Sequence, residues 1–221
     1  NNPSTKTIIN CLQSTNAKQN KTKQNKTKQN KTKMSAFTAN YLQAITNRRT
    51  IYQLKPELPA GISIEDIQAT VQTIIKESPT ALNSQCNRAL ILTGDAHKKV
   101  WDHVTKSMGA EAAKQRPQSV RDEAYGSVIF FTDDAVTEKL QADMPAIKDV
   151  FPGCASHATG AAQISTWTAL ETLGLGVHIQ HYNDAVKEVL PAKVPAKWTV
   201  VGQLCFGTGV EAAPVKDYMH N

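Results

Sequence analysis

Apolar residues recur at helical spacing twice in the first half of the sequence. Tyr41, Leu42 and Ile45 share one such stretch, and after Ser63-x-x-Asp66, a helix-start signature, Ile64, Ile67, Val71, Ile74 and Ile75 share a second. Both are expected to be amphipathic helices. Pro79 ends the second and opens a polar loop, Thr80-Ala-Leu-Asn-Ser-Gln85, which leads into the strand-like run Ala89-Leu-Ile-Leu-Thr93. Asp95 is placed to cap a helix through Val100, Trp101 and Val104. Ser127-Val-Ile-Phe-Phe-Thr132 is almost continuously apolar, the mark of a strand covered on both faces. A helix is expected from His157 to about Thr172, another from near Asn183, and a last strand over Trp198 to Phe206. Helices separate each strand from the next, which reads as one α/β or α+β domain.

Residues 1–33 break this pattern. Between Lys21 and Lys33 the unit Lys-Thr-Lys-Gln-Asn recurs, and the whole segment holds eight lysines and no acid. The full chain carries +6, yet the remaining 188 residues hold 17 bases against 19 acids, a net −2. The basic character therefore belongs to the tail, and the body has no global charge that draws it to nucleic acid. With nothing to bury, the tail is expected to be disordered. It reads either as a polybasic arm with weak affinity for nucleic acid or anionic lipid, or, the preferred reading, as translated leader ahead of Met34-Ser-Ala36. The expected organisation is thus a tail over 1–33 and a folded domain over 34–221.

The cysteines are Cys11, Cys86, Cys154 and Cys205, with no C-x-x-C pair, and read as reduced thiols. No apolar run reaches the roughly 20 residues that cross a bilayer, and no signal-peptide core is present. A cytoplasmic protein without a membrane partner is expected, one small enough to share the nucleus.

Candidate chemistry is sparse. Arg48-Arg49-Thr50 offers two guanidiniums and a hydroxyl, which suit a phosphate; arginines at a helix C-terminus also complement its dipole. Thr80, Asn83, Ser84 and Gln85 are neutral donors and acceptors fit to read the edge of a planar ring, and are equally the residues of an ordinary loop. Gly174-Leu-Gly-Val-His-Ile-Gln-His-Tyr-Asn183 lacks a third glycine at Ile179 and does not follow a strand, so the dinucleotide fingerprint fails. Its glycines either let backbone groups approach a ligand or make Gly174 a helix cap. His178 and His181 stand three apart with no third ligand and read as structural histidines rather than a metal site. No nucleophile elbow is present.

Four segments taken together resemble, in order and spacing, the nitroreductase family of flavoproteins and its fungal branch. They are Asn47-Arg-Arg-Thr-Ile-Tyr52, Pro79-Thr-Ala-Leu-Asn-Ser-Gln85, Arg121-Asp-Glu-Ala-Tyr-Gly-Ser-Val-Ile-Phe-Phe-Thr132 and Gly174-Leu-Gly-x-x-x-Gln-His-Tyr-Asn183. The resemblance spans about Tyr41 to Phe206. It implies an α+β fold with a central mixed sheet flanked by helices, a domain-swapped homodimer, and FMN at the dimer interface. By resemblance Arg48, Arg49 and Thr50 hold the FMN phosphate and ribityl chain, and Thr80, Asn83 and Gln85 reach the flavin from the partner subunit. Backbone groups of Leu173, Gly174, Leu175 and Gly176 line the ring near N5, and Tyr52 stands near N1, where many relatives carry Lys or Arg. The flavin N5 carries the chemistry, so no catalytic side chain is implied.

The implied mechanism is ping-pong: NADH or NADPH delivers hydride to the flavin, then a small-molecule acceptor, a nitroaromatic or quinone, takes the electrons from the same face. The fungal branch also suggests roles in oxidative stress and lipid signalling. Family members run on past a C-terminal Lys or Arg, whereas this sequence stops at Asp217-Tyr-Met-His-Asn221, which reads as a shortened C-terminus with weaker FMN binding. A flavin-binding regulatory module with little turnover is the alternative function.

Overall fold

The computed structural model describes residues 35–218; the lysine repeat, and the expectations attached to it, lie outside them. Ser35 caps α1 (Ala36–Asn47), and a reciprocal capping box between Ser63 and Asp66 starts α2 (Ile64–Glu77), as the sequence signature implied. Between them lies the two-residue β1 (Leu54–Lys55). A short 3-10 turn (Ala81–Asn83) leads to β2 (Asn87–Thr93), and α3 (Gly94–Ser107) and α4 (Glu111–Glu123) carry the chain to β3 (Gly126–Asp133). Then come α5 (Asp134–Asp143), a second 3-10 segment (Pro145–Val150) and the long α6 (Phe151–Thr172). The chain finishes with β4 (Gly176–Gln180), α7 (Asn183–Val189) and β5 (Trp198–Gly209).

Four of these helices and strands were not legible in the sequence, among them β1, whose two residues carry no pattern. α4 and α5 are mostly polar on their outer faces, and β4 is a short strand starting at a glycine, so its five residues offered no period to read. The helix expected from His157 begins six residues earlier, at Phe151, with Pro152 in its first turn where a missing N–H costs nothing.

The sheet runs β1-β5-β3-β2, with β4 also paired to β5. Every pairing among the described residues is antiparallel, which corrects the expectation of a mixed sheet. The reason is topological. β3 and β4 run in the same direction, but β5 lies between them and is antiparallel to both. A bulge between Phe130 and Phe131 adds one residue on the β5 side of that ladder.

Helices cover both faces. Alternate residues of the central strands enter two cores: Ala89, Ile91, Val128, Phe130, Leu204 and Phe206 pack with α2 and α6, whereas Leu90, Leu92, Ile129, Phe131 and Cys205 pack with α3, α4 and α7. Burial on both faces explains the continuous apolar run of β3. α1 is the exception, since none of its residues is buried and Phe37, Tyr41, Leu42 and Ile45 are all exposed. No helix among the described residues is long and apolar enough to cross a membrane.

Candidate functional site

The segment after α1 is fastened to the far end of α6. Arg48 N–H closes α1 on the Ala44 carbonyl at 3.0 Å, and the chain then turns extended until Ile51 N–H donates to Val177 O in β4, also at 3.0 Å. Glu171, in the last turn of α6, accepts from Arg49 N–H at 2.8 Å with one oxygen and from Trp167 Nε1–H at 2.7 Å with the other. The Arg48 guanidinium lies 4.5 Å from the centre of the Trp167 ring. Burial pushes the Glu171 carboxyl above its ordinary value, opposed by those two hydrogen bonds and by the charges of Arg48 and Arg49. Neither guanidinium has a carboxylate within ion-pair distance among the described residues, although both residues are half-buried. Two successive arginines followed by the Thr50 hydroxyl, on a turn held by Glu171, are a donor set that fits a phosphate.

The adjoining corner is Leu173 to Gly176. Gly174 N–H donates to Glu171 O at 3.0 Å and Leu175 N–H to Leu170 O at 3.2 Å, with Gly174 at φ +86°, so α6 ends in a Schellman motif. The N–H groups of Leu173, Gly174 and Leu175 are thereby committed to closing the helix, and Gly174 is its cap. Gly176 serves a close approach. A Cβ there would meet Leu54 Cδ2 at 2.7 Å and the Gly209 Cα at 2.9 Å, so only glycine lets β4 enter beside β1 and the end of β5.

Tyr52 stands on the same side. Its ring is flanked by the Arg116 guanidinium, 4.3 Å from the ring centre, and by His178, 5.3 Å between centroids. His178 is buried and neutral, its pKa pushed down to about 3 by burial first and by Arg116 second. Gln180 Nε2 donates to its Nδ1 at 2.9 Å, which assigns the ring proton to Nε2. Among the described residues no group of three His, Cys, Asp or Glu side chains is arranged to hold a metal.

The polar loop is elsewhere. Leu82, Asn83 and Gln85 hold left-handed φ values of 52°, 53° and 54°, an unusual run for residues with side chains. Gln85 N–H donates to Thr80 Oγ1 at 2.8 Å, and Arg88 Nη1 donates to the Gln85 carbonyl while its Nη2 pairs with Asp133 at 2.9 Å. Asn87 ties the loop's exit to α6, donating to Ala158 O at 3.4 Å and accepting from Thr159 Oγ1 at 3.0 Å. Ala158 precedes Glu171 on that helix by a span of about 20 Å, at about 1.5 Å per residue. Within one chain, then, the segment Arg48 to Tyr52 contacts the last turn of α6 and β4, on either side of Leu173 to Gly176, while the loop of Thr80, Asn83 and Gln85 lies toward the opposite end of α6.

Trp167, Glu171, Arg88 and Arg116 were missed by sequence reasoning. Trp167 and Glu171 are four apart on one helix face, a signal that was present but indistinguishable from a surface pair. Arg116 sits in α4, which was not recognised as an element.

The pattern that defines the Nitroreductase family matches residues 45–208, covering the Arg48 turn, the polar loop and the glycine corner. The chain belongs to the nitroreductase family. It is 59% identical over 184 residues to the nitroreductase FRM2 of Saccharomyces cerevisiae, covering 83% of this chain and 95% of that protein. Its fold matches the crystal structure of nitroreductase from Saccharomyces cerevisiae with a TM-score of 0.76 and 62% identity, over 78% of this chain and 97% of that one. It also matches nitroreductase CinD from Lactococcus lactis in complex with chloramphenicol, with a TM-score of 0.74 and 36% identity, over 81% and 95% of the two chains. CinD has also been solved with nicotinic acid and with 4-nitrophenol. Membership in the nitroreductase family implies an oxidoreductase activity.

Proposed function

We propose that this nitroreductase-family chain is an FMN-dependent NAD(P)H oxidoreductase that works as a homodimer and reduces nitroaromatic or quinone-type acceptors. The observation that carries the reading is the Arg48 turn: two half-buried arginines without carboxylate partners among the described residues, on a backbone tied through Glu171 to the end of α6. Arg48, Arg49 and Thr50 hold the cofactor phosphate and ribityl chain. Glu171 sets the turn's geometry by accepting the Arg49 N–H. When bound, FMN supplies a ring that takes hydride from NADH or NADPH and returns it to an acceptor. Because the N–H groups of Leu173 to Leu175 are spent on α6, that corner shapes the floor of the site, and Tyr52 supplies a hydroxyl donor at its edge.

The homodimer is supported by two observations. α1 leaves Phe37, Tyr41, Leu42 and Ile45 uncovered, and α6 leaves Ile164 uncovered, an apolar surface that a second copy would bury. The loop of Thr80, Asn83 and Gln85 lies too far from the Arg48 turn to serve it in the same chain, and in a dimer it would serve the second site. The complex of CinD with 4-nitrophenol supports a flat nitroaromatic acceptor.

Replacing both Arg48 and Arg49 by Ala is expected to yield folded protein largely without bound flavin, read from the visible spectrum after gel filtration. Unchanged flavin content would refute the phosphate assignment. On the unmodified protein, anaerobic NADH or NADPH should bleach the flavin bands; bands that persist with both donors would leave a flavin binder without reductase activity.

A further inference from the structure

Leu82, Asn83 and Gln85 all hold left-handed backbones, which residues with side chains keep only where their surroundings impose it. The hydrogen bonds within the loop do not anchor it to the rest of the fold. Asn83 N–H donates to Thr80 O and Ser84 N–H to Ala81 O, each at 3.0 Å, and Gln85 N–H donates to Thr80 Oγ1 at 2.8 Å, so these bonds travel with the loop. Among the described residues, Arg88 is the one side chain outside residues 80–85 that donates a hydrogen bond into the loop, from Nη1 to the Gln85 carbonyl.

Arg88 is itself fixed. Its Nη1 also donates to Asn87 O at 2.9 Å, its Nη2 pairs with Asp133 Oδ2 at 2.9 Å, and its guanidinium lies 5.6 Å from the centre of the buried Trp198 ring. The Arg88 and Asp133 side chains are only 11% and 14% exposed, so water screens the pair little. Asp133 is held in turn, because its N–H donates to Cys86 O at 2.8 Å. The planar fork of Arg88 thus serves two carbonyls and a carboxylate at once, which the single ammonium of a lysine does not match.

We propose that Arg88 is a positioning residue for the cofactor loop: by holding the Gln85 carbonyl against the Asp133 anchor, it keeps Thr80, Asn83 and Gln85 in the arrangement that meets the flavin of the second subunit. The proposal rests on the reading that this loop serves the second site of an FMN-binding dimer. A loop released from Arg88 spends only a fraction of its time in that arrangement, and the apparent affinity for the cofactor falls by the same fraction. Arg88 acts through the loop and does not touch the cofactor.

Two measurements on flavin-stripped full-length protein test this. FMN affinity is read by fluorescence titration, and the exchange of the Asn83, Ser84 and Gln85 amides by hydrogen-exchange mass spectrometry without FMN, with the α2 amides as the reference for global opening. The variant is Arg88→Gln combined with Asp133→Asn, so that no lone charge is left buried. Arg88→Lys, which keeps a charge facing Asp133 but lacks the fork, is measured beside it. Both should bind FMN at least about tenfold more weakly and exchange the loop amides about tenfold faster, with α2 unchanged. Adding Leu82→Gly to the double variant relieves the left-handed strain and should bring both values back toward the wild type. Unchanged affinity with faster loop exchange would overturn the proposal by showing that the loop does not serve the cofactor. Weaker affinity with unchanged loop exchange would overturn it by assigning Arg88 to the cofactor itself, and so would a Leu82→Gly variant that restores neither value. A wild type that binds no FMN would refute the functional reading and with it the role assigned to Arg88, while faster loop exchange in the same samples would show that its grip on the loop is real.

Discussion

Acid should destabilise this fold through His97 before it titrates most carboxylates. His97 is buried on α3, where Nε2 faces Val120 O at 3.0 Å and Nδ1 faces the Ser127 hydroxyl, also at 3.0 Å. Because a carbonyl only accepts, Nε2 carries the proton and Nδ1 accepts from Ser127, whose oxygen in turn accepts from Trp101 Nε1–H at 2.9 Å. Burial pushes the imidazole pKa down from 6.5 to about 4, with the Val120 bond opposing and Lys98 assisting. The unfolded chain therefore takes the proton first as pH falls, so stability is full above 6.5, declines below it, and stops declining just under 4. At about 1.4 kcal/mol per pH unit the whole loss is about 3.4 kcal/mol, and integrating both titrations between pH 7 and pH 5 gives about 1.8 kcal/mol.

His97→Gln removes this titration. The variant should be less stable at pH 7, by about 2–4 kcal/mol for the lost hydrogen bonds and packing, yet lose about 1.8 kcal/mol less than the wild type on moving to pH 5. Urea unfolding at both pH values, with protein and flavin concentrations fixed so that binding does not enter the difference, measures it. Equal losses in the two proteins would refute the argument. His178→Gln provides the same test at a second buried imidazole, whose pKa is pushed down to about 3.

Two further outcomes test the fold around the site. Gly176→Ala forces a Cβ to within 2.9 Å of the Gly209 backbone and 2.7 Å of Leu54, and should cost about 2–3 kcal/mol, a fall in Tm of about 5–10 °C by calorimetry. Tyr41→Asp combined with Ile45→Asp places charge on the uncovered face of α1 and should convert a dimer to monomers in sedimentation, whereas an unchanged dimer would show that α1 is not at the interface.

The sequence alone determined the elements whose signals are local. The capping box at Ser63 and Asp66, the strand at Ser127 to Thr132 and the helical periods of α2 and α3 are each written within a few residues, because hydrogen-bonded caps and burial on one or two faces act at short range. The Arg48-Arg49-Thr50 turn was legible as a candidate because guanidinium chemistry is a property of the residue itself. Tertiary structure decided which candidates share a place. Glu171 binds Arg49 across 122 positions and Arg116 reaches Tyr52 from an unrecognised helix, and no spacing rule encodes either meeting. Sheet order was equally hidden: whether β3 and β4 pair or admit β5 between them depends on how helices pack on both faces. The length of α6 then separates the Thr80 to Gln85 loop from the turn it accompanies in the sequence motifs, since a rigid helix holds its two ends apart whatever chemistry each carries.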